Sequence, residues 1–126
     1  NVGILVRVPE ASGILTGKVN ADTKFDDNDH RSVRKREWLK ASLEKVEQFR
    51  PIAERNGLSI TEFAMKYMMT KKGFATVLPT MISEEEIVNY AEMANGEYIS
   101  NSDMKEVEEL YNSWPSYELK ATIPAN

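Results

Sequence analysis

The sequence predicts an α/β protein assembled from parallel βα units. The first observation is a pair of short apolar, β-branched runs, each emptying into a turn. Ile4-Leu5-Val6 runs towards Pro9, and Ala75-Thr76-Val77-Leu78 ends at Pro79. Runs of this kind read as buried parallel strands, and α/β proteins bind ligands in the loops at the carboxyl ends of such strands. The second observation is what separates and follows them, namely apolar residues recurring at three and four, the period of a helix. The order is therefore strand, loop, helix, helix, strand, loop, helix, helix, which suits a parallel sheet under helices.

The elements follow in chain order. Residues 3–8 form strand one, because Pro9 cannot donate to a ladder and holds Val8 extended. Residues 10–17 are loop with room for a helical turn. Residues 18–30, KVNADTKFDDNDH, are polar and rich in turn formers, so they read as an irregular excursion. Residues 32–56 form a helix with Trp38, Leu39, Leu43, Val46, Phe49, Ile52 and Ala53 on one face. Pro51 should kink or split it, and Gly57 stands where a glycine commonly closes a helix. Ser59 and Glu62 have capping-box spacing before Phe63, Ala64, Tyr67 and Met68, and Lys71-Lys72 supply a basic last turn. Strand two is 75–78. Ser83 with Glu86, and Ser100 with Asp103, open two more helices. The tail, 113–126, has no clear period and stays unassigned.

Composition narrows the function. The chain has 126 residues, one modest domain, with 16 basic and 20 acidic side chains and a net charge of −4. That balance argues against nucleic acid as a partner. There is no cysteine, so disulfides, thiolate zinc sites and a catalytic thiol are excluded, and a reducing, cytoplasmic location is expected. No apolar run approaches the ~18 residues needed to cross a bilayer, so no membrane partner is expected, and no signal peptide is recognisable. Asp26, Asp27 and Asp29 resemble half a calcium loop but lack the Gly and Glu that complete it, so no metal site is expected. His30 reads as a loop or cap residue. Ser59, Ser83 and Ser100 read as helix caps rather than nucleophiles, and the methionines as core filling.

The stretch GILVRVPEASGILTGK, 3–18, followed by Asp29-His30-Arg31, resembles the aldo-keto reductase family. So do residues 53–78, with GLSITEFAMKYMM and ATVLP, and the helix opening SEEEIVNYAEMA. The resemblance covers residues 3–111, but only about the last third of a (β/α)8 barrel, which takes ~250 residues. It implies that the two strands are the seventh and eighth of that TIM barrel. It also implies that 1–126 is a single C-terminal fragment, mainly helical by itself, with two short strands. The abrupt start inside a strand fits that expectation.

The resemblance further implies a nicotinamide cofactor, NADP(H) or NAD(H), bound in an extended pose without a Rossmann domain, and the chain contains no GxGxxG. By the family pattern Arg7 stacks on the nicotinamide, a role open to a guanidinium plane. Pro9, Glu10, Ala11, Ser12 and Gly13 cradle the pyrophosphate with Lys18 as basic partner, and Arg31 adds a phosphate-side arginine. The carboxylate of Glu10 is unfavourable there unless only its backbone N–H faces the ligand. Thr80, Glu86, Asn89 and Tyr90 form the second contact segment, where Thr80 and Ile82 replace residues that are commonly small or basic. Glu86 suits a free ribose 2′-hydroxyl, which puts strict NADP use in doubt. Read without the family, Arg7 has the alternative of a paired structural charge, and Lys18 and Arg31 have the alternative of ordinary solvated charges.

The family's catalytic Asp, Tyr, Lys and His lie earlier in the barrel, and no motif for them occurs here. The expected parent reduces aldehydes and ketones, small carbonyl substrates, while this chain alone turns nothing over. The alternative is a stand-alone helical interaction module. Strands stripped of barrel neighbours are also expected to self-associate.

Overall fold

The computed structural model describes residues 2–114. The chain runs β1 (Ile4–Arg7), a 3-10 turn (Ile14–Thr16), α1 (Arg36–Arg55), α2 (Ile60–Thr70), β2 (Phe74–Leu78), α3 (Glu84–Met93) and α4 (Asn101–Ser113). β1 and β2 pair in parallel, with Leu5 opposite Thr76, Val6 opposite Val77 and Arg7 opposite Leu78, and an irregularity between Ile4 and Leu5. A parallel pair needs a long crossover, and α1 with α2 provides it. The predicted order of elements is the observed one.

The core lies among the helices. Leu39, Val46, Ile52 and Ala53 of α1 meet Ile60 and Phe63 of α2, with Ile14, Ile99 and Val107 closing the cluster. The sheet is different: Ile4, Leu5 and Leu78 are 48%, 53% and 46% exposed. The expectation of buried strands is therefore corrected. Each strand has one neighbour, so a two-stranded sheet leaves half of its apolar surface uncovered.

Local signals account for most helix ends. Ser59 accepts from the Glu62 N–H and the Glu62 carboxylate accepts from the Ser59 N–H, the full reciprocal box. Ser83 and Ser100 cap α3 and α4 by accepting from the N–H groups of Glu86 and Asp103. Gly57, at φ 68°, closes α1. Its N–H donates to the Glu54 carbonyl and that of Leu58 to the Ala53 carbonyl, a Schellman pair that needs a left-handed residue between them.

Four expectations need correction. α1 begins at Arg36, not at Ser32. Residues 32–35 stay in turns closed by the Ser32 N–H on Asp29 and the Arg34 N–H on Arg31. Lys35 and Arg36 therefore stand at the positive end of the helix, and the Arg36 guanidinium turns back to donate to the carbonyls of Ala21 and Thr23. Of the two outcomes expected at Pro51, a kink or a split, the split does not occur, and α1 runs on through it. Ile52 and Ala53, each 1% exposed, anchor the turn after the proline, and that burial outweighs one missing hydrogen bond. α2 stops at Thr70, so Lys71 falls past its end and pairs with Glu108 of α4. Finally, α4 includes Ser113, and the rest of the 113–126 tail after Trp114 lies outside the described residues.

α1 and α4 are joined by charge as well as by packing. Asn56 donates to Asp103 at 2.9 Å, and Arg55 reaches both Asp103 and Glu106. The Asn56 and Arg55 donors hold the Asp103 carboxyl below its ordinary range. No helix among the described residues is long and apolar enough to cross a membrane.

This division of labour has a measurable consequence. Leu39→Ala should lower the unfolding free energy by about 2–5 kcal/mol, the usual cost of truncating a filled core site. Leu5→Ala, at a half-exposed position, should cost less than about 1 kcal/mol. Urea unfolding followed by far-ultraviolet circular dichroism checks both. Equal costs would mean that the strand face is covered in solution, as the expected self-association would require.

Candidate functional site

Because β1 and β2 are parallel, their carboxyl ends lie at one edge of the sheet, and the segments that follow meet there. Two side-chain contacts join those segments. Tyr90 donates its hydroxyl to Glu10 Oε1 at 2.5 Å, and Lys18 Nζ donates to Glu86 Oε1 at 3.3 Å. Glu86 and Tyr90 stand one turn apart on α3, so one helix face holds both ends of the loop between residues 8 and 18. Glu10 is buried, with 4% exposure, while the Lys18 side chain is 76% exposed.

The second oxygen of Glu86 accepts from the Ile82 N–H at 2.8 Å. That bond first, and Lys18 second, lower the Glu86 pKa. Burial, and then the bond to Glu10, push the Tyr90 hydroxyl well above its ordinary range, so it remains a donor.

The loop backbone is unusual. Val8, expected to be extended before Pro9, is instead left-handed at φ 54°, Ala11 and Ser12 have φ of 51° and 59°, and Gly13 follows at 87°. Each non-glycine residue in this region costs of order 1 kcal/mol or more. Hydrogen bonds hold the shape, among them the Ala11 N–H on Val8, the Leu15 N–H on Glu10 and the Thr16 hydroxyl on Gly13. Thr61 of α2 donates to the Leu15 carbonyl at 2.8 Å and pins the 3-10 turn to the core. The N–H groups of Ser12 and Gly13 have no partner among the described residues.

Arg31 braces the same loop from the excursion. Its Nη1 donates to the Ser12 carbonyl at 3.1 Å, and its Nε and Nη2 grip Asp29 at 2.9 and 2.6 Å. Its plane also lies 4.3 Å from the Phe25 ring centre. A Cβ on Gly13 would sit 2.9 Å from Arg31 Nη1, so a side chain there would push the guanidinium off its place and strain the backbone at φ 87°. The Arg31 guanidinium and backbone N–H draw the Asp29 carboxyl from 3.8 down to about 2.

Glu10, Ser12, Gly13, Lys18, Arg31, Glu86 and Tyr90 thus form one connected group. Pro9 is buried under the loop and Ala11 faces solvent, whereas Arg7, Thr80 and Asn89 are exposed and make no side-chain hydrogen bond among the described residues. The Glu10 carboxylate accepts from Tyr90 of α3 and takes no N–H of its own loop among the described residues. Asp29 and Thr61 were missed as site residues. Asp29 had a signal, an acceptor two residues before Arg31 that closes an Asx turn with the Arg31 N–H at 2.8 Å. Thr61 had none. Beside the group, β2, α2 and α3 enclose an open groove of about 540 Å³ lined by Met65, Met69, Phe74, Val77 and Met81.

Comparison with known proteins adds three findings. The model of the aldo/keto reductase family matches residues 1–112. Two curated plant proteins, each named "Probable voltage-gated potassium channel subunit beta", align with the chain. That of Oryza sativa subsp. japonica is 28% identical over 92 residues, and that of Arabidopsis thaliana is 26% identical over 91. These alignments take in 69% and 68% of this chain but 28% of each relative, so the chain spans well under half their length. Among solved structures, a glycerol dehydrogenase from Gluconobacter oxydans superposes with a TM-score of 0.76 at 22% identity, covering 98% of this chain and 38% of that one. This likeness bears out the predicted fold class, the C-terminal portion of a TIM barrel.

The Arg31–Asp29 pair sets a pH limit on the brace. Asp29 has a folded pKa below its free value, so its contribution is complete above about pH 4 and disappears as pH falls through about 2. Carboxyl carbon resonances followed by NMR should show Asp29 titrating near pH 2. A midpoint near the free value of 3.8 would mean that the pair does not form in solution.

Proposed function

Since the chain belongs to the aldo/keto reductase family, we propose that it forms the cofactor-side part of a cytoplasmic oxidoreductase that reduces aldehydes or ketones to alcohols. The single observation that carries this reading is the joined pair of segments beyond β1 and β2. The loop of that pair carries two N–H groups, at Ser12 and Gly13, without a partner among the described residues, and ends at Lys18, exposed and paired with Glu86. Backbone donors beside a cation suit a phosphate anion, and charge-assisted hydrogen bonds to phosphate are strong ones.

In this reading a nicotinamide dinucleotide, when bound, supplies the hydride. The chain's own residues bind and orient it. Ser12 and Gly13 offer N–H groups and Lys18 offers charge to the pyrophosphate, with Pro9 and Ala11 shaping the loop around them. Arg7, exposed at the end of β1, offers a plane for stacking. Arg31 spends three of its donors on Asp29 and Ser12, so its role is to brace the loop more than to grip phosphate. Thr80, Glu86, Asn89 and Tyr90 face the ribose side. The first turn of α3 carries Glu84, Glu85 and Glu86. This charge opposes a 2′-phosphate, and we propose NAD(H) as an accepted cofactor alongside NADP(H). The reaction also needs a positioned proton donor. The family's catalytic residues are not among these 126, so we propose that this chain is one fragment of a larger barrel and inactive alone.

A second reading, a helical interaction module without chemistry, draws support from the exposed strand face and from the names of the two plant relatives. The coding sequence upstream of position 1 separates the two. A continuous frame with the family's Asp, Tyr, Lys and His supports the enzyme, and a start codon directly before position 1 supports the module.

Cofactor titration by fluorescence quenching, with NAD(H) and NADP(H) separately, tests the site in the parent enzyme. Lys18→Ala should weaken both cofactors by up to about fivefold, the upper range for an exposed charged contact. Glu86→Arg should move the preference towards NADP(H) by about tenfold, because a carboxylate is replaced by a phosphate-matched fork. If neither variant differs from the parent, the assignment of the loop is wrong.

A further inference from the structure

Glu10 poses a problem for a loop that receives an anion. It is a carboxylate within two and three residues of the unpartnered N–H groups at Ser12 and Gly13. Side chains this close commonly capture the backbone donors of their own segment. The same protein shows glutamates capturing backbone donors, there of residues that precede them. Glu62 takes the Ser59 N–H at 2.9 Å from three residues away, and Glu86 takes the Ile82 N–H at 2.8 Å from four. Glu10 does neither. It is buried against α3, with Oε1 on the Tyr90 hydroxyl at 2.5 Å.

We infer that Tyr90 is a positioning residue that holds the Glu10 carboxylate off the Ser12 and Gly13 N–H groups and so keeps the loop open to a diphosphate anion. The inference rests on the proposed phosphate role of that loop, but its structural half stands without a ligand. Tyr90 acts by keeping an internal competitor away, and it touches no phosphate itself. The effect is specific to the hydroxyl, since the phenyl ring fills the same space without it. The Lys18–Glu86 contact cannot substitute, because neither member reaches Glu10.

The test is a double-mutant cycle on the full chain with Tyr90→Phe, Glu10→Gln and the pair, and inorganic pyrophosphate as the probe. Two readouts are needed. Amide proton resonances of Ser12 and Gly13, recorded without ligand, should move downfield in Tyr90→Phe as the freed carboxylate takes them, and should return in the double variant. Pyrophosphate affinity by calorimetry should fall about fivefold or more in Tyr90→Phe, the loss expected when a charged acceptor competes for the donors. It should recover in the double variant to within about twofold of Glu10→Gln. Tyr90→Phe with unmoved amides overturns the inference, and so does a loss of affinity that Glu10→Gln fails to restore. If Tyr90→Phe does not fold, Glu10→Gln alone decides: it must bind pyrophosphate at least as tightly as the parent. Amides that move as expected in a chain that never binds pyrophosphate sink the phosphate role of the loop, and with it the idea that Tyr90 serves binding.

Discussion

The parallel pairing of β1 with β2 is the constraint on which everything else depends. Antiparallel strands can be joined by a two-residue turn, but parallel strands cannot. The chain must travel back along the sheet, and α1 and α2 are that return path. Parallel pairing also decides where the site lies. Both strands end at one edge, so the loop after β1 and the segment after β2 emerge side by side although some 80 residues separate Glu10 from Tyr90. The contacts that define the site follow from this register, and no local preference of either segment would produce them.

The pairing does not hold itself together. Strand residues are half exposed, and the closely packed positions are on α1 and α2, with Leu39 and Ile52 nearly solvent-free. The crossover therefore has two tasks. It joins the strands, and it supplies the apolar burial that a two-stranded sheet lacks. The loop after β1 is tied to the same core through Ile14, 3% exposed, and through Thr61 on the Leu15 carbonyl. A site that rests on the helices rather than the sheet keeps its shape even with few strands beside it. This is also the arrangement of a barrel wall, where strands gain their remaining cover from neighbouring strands.

What was legible in the sequence was local. Ser59, Ser83 and Ser100 mark helix starts because the cap and its partner lie three residues apart, and Gly57 marks a stop because only a left-handed residue closes that turn without strain. The errors came where a distant contact overruled a local signal. Pro51 ought to interrupt a helix, but the buried Ile52 and Ala53 hold the turn after it. Lys71 reads as part of a basic helix end, but Glu108 draws it past the end. Residues 32–35 adjoin the helical pattern but are held in turns by the carbonyls of Asp29 and Arg31. The resemblance to a family placed the loop and the second segment. It could not reveal that Glu10 binds Tyr90 or Lys18 binds Glu86, since residue types far apart in sequence carry no mark of being neighbours.

The Tyr90 contact and the loop's own hydrogen bonds explain how a carboxylate and three left-handed non-glycine residues are tolerated in one loop. Burying Glu10 without a donor would cost several kcal/mol, and the strained backbone adds about 1 kcal/mol or more per residue. The Tyr90 hydroxyl satisfies the first, and the bonds at Val8, Gly13 and Leu15 offset part of the second. Local strain that surrounding contacts over-determine tends to gather at functional positions. Here its product is concrete. In the left-handed turn the Ser12 and Gly13 N–H groups have no acceptor among the described residues, while Arg31 occupies the Ser12 carbonyl. A relaxed loop of the same length would pair its own donors and carbonyls and leave nothing to offer a ligand. The strain and the open donors are therefore one feature, and the clasp from α3 keeps the nearest carboxylate from cancelling it.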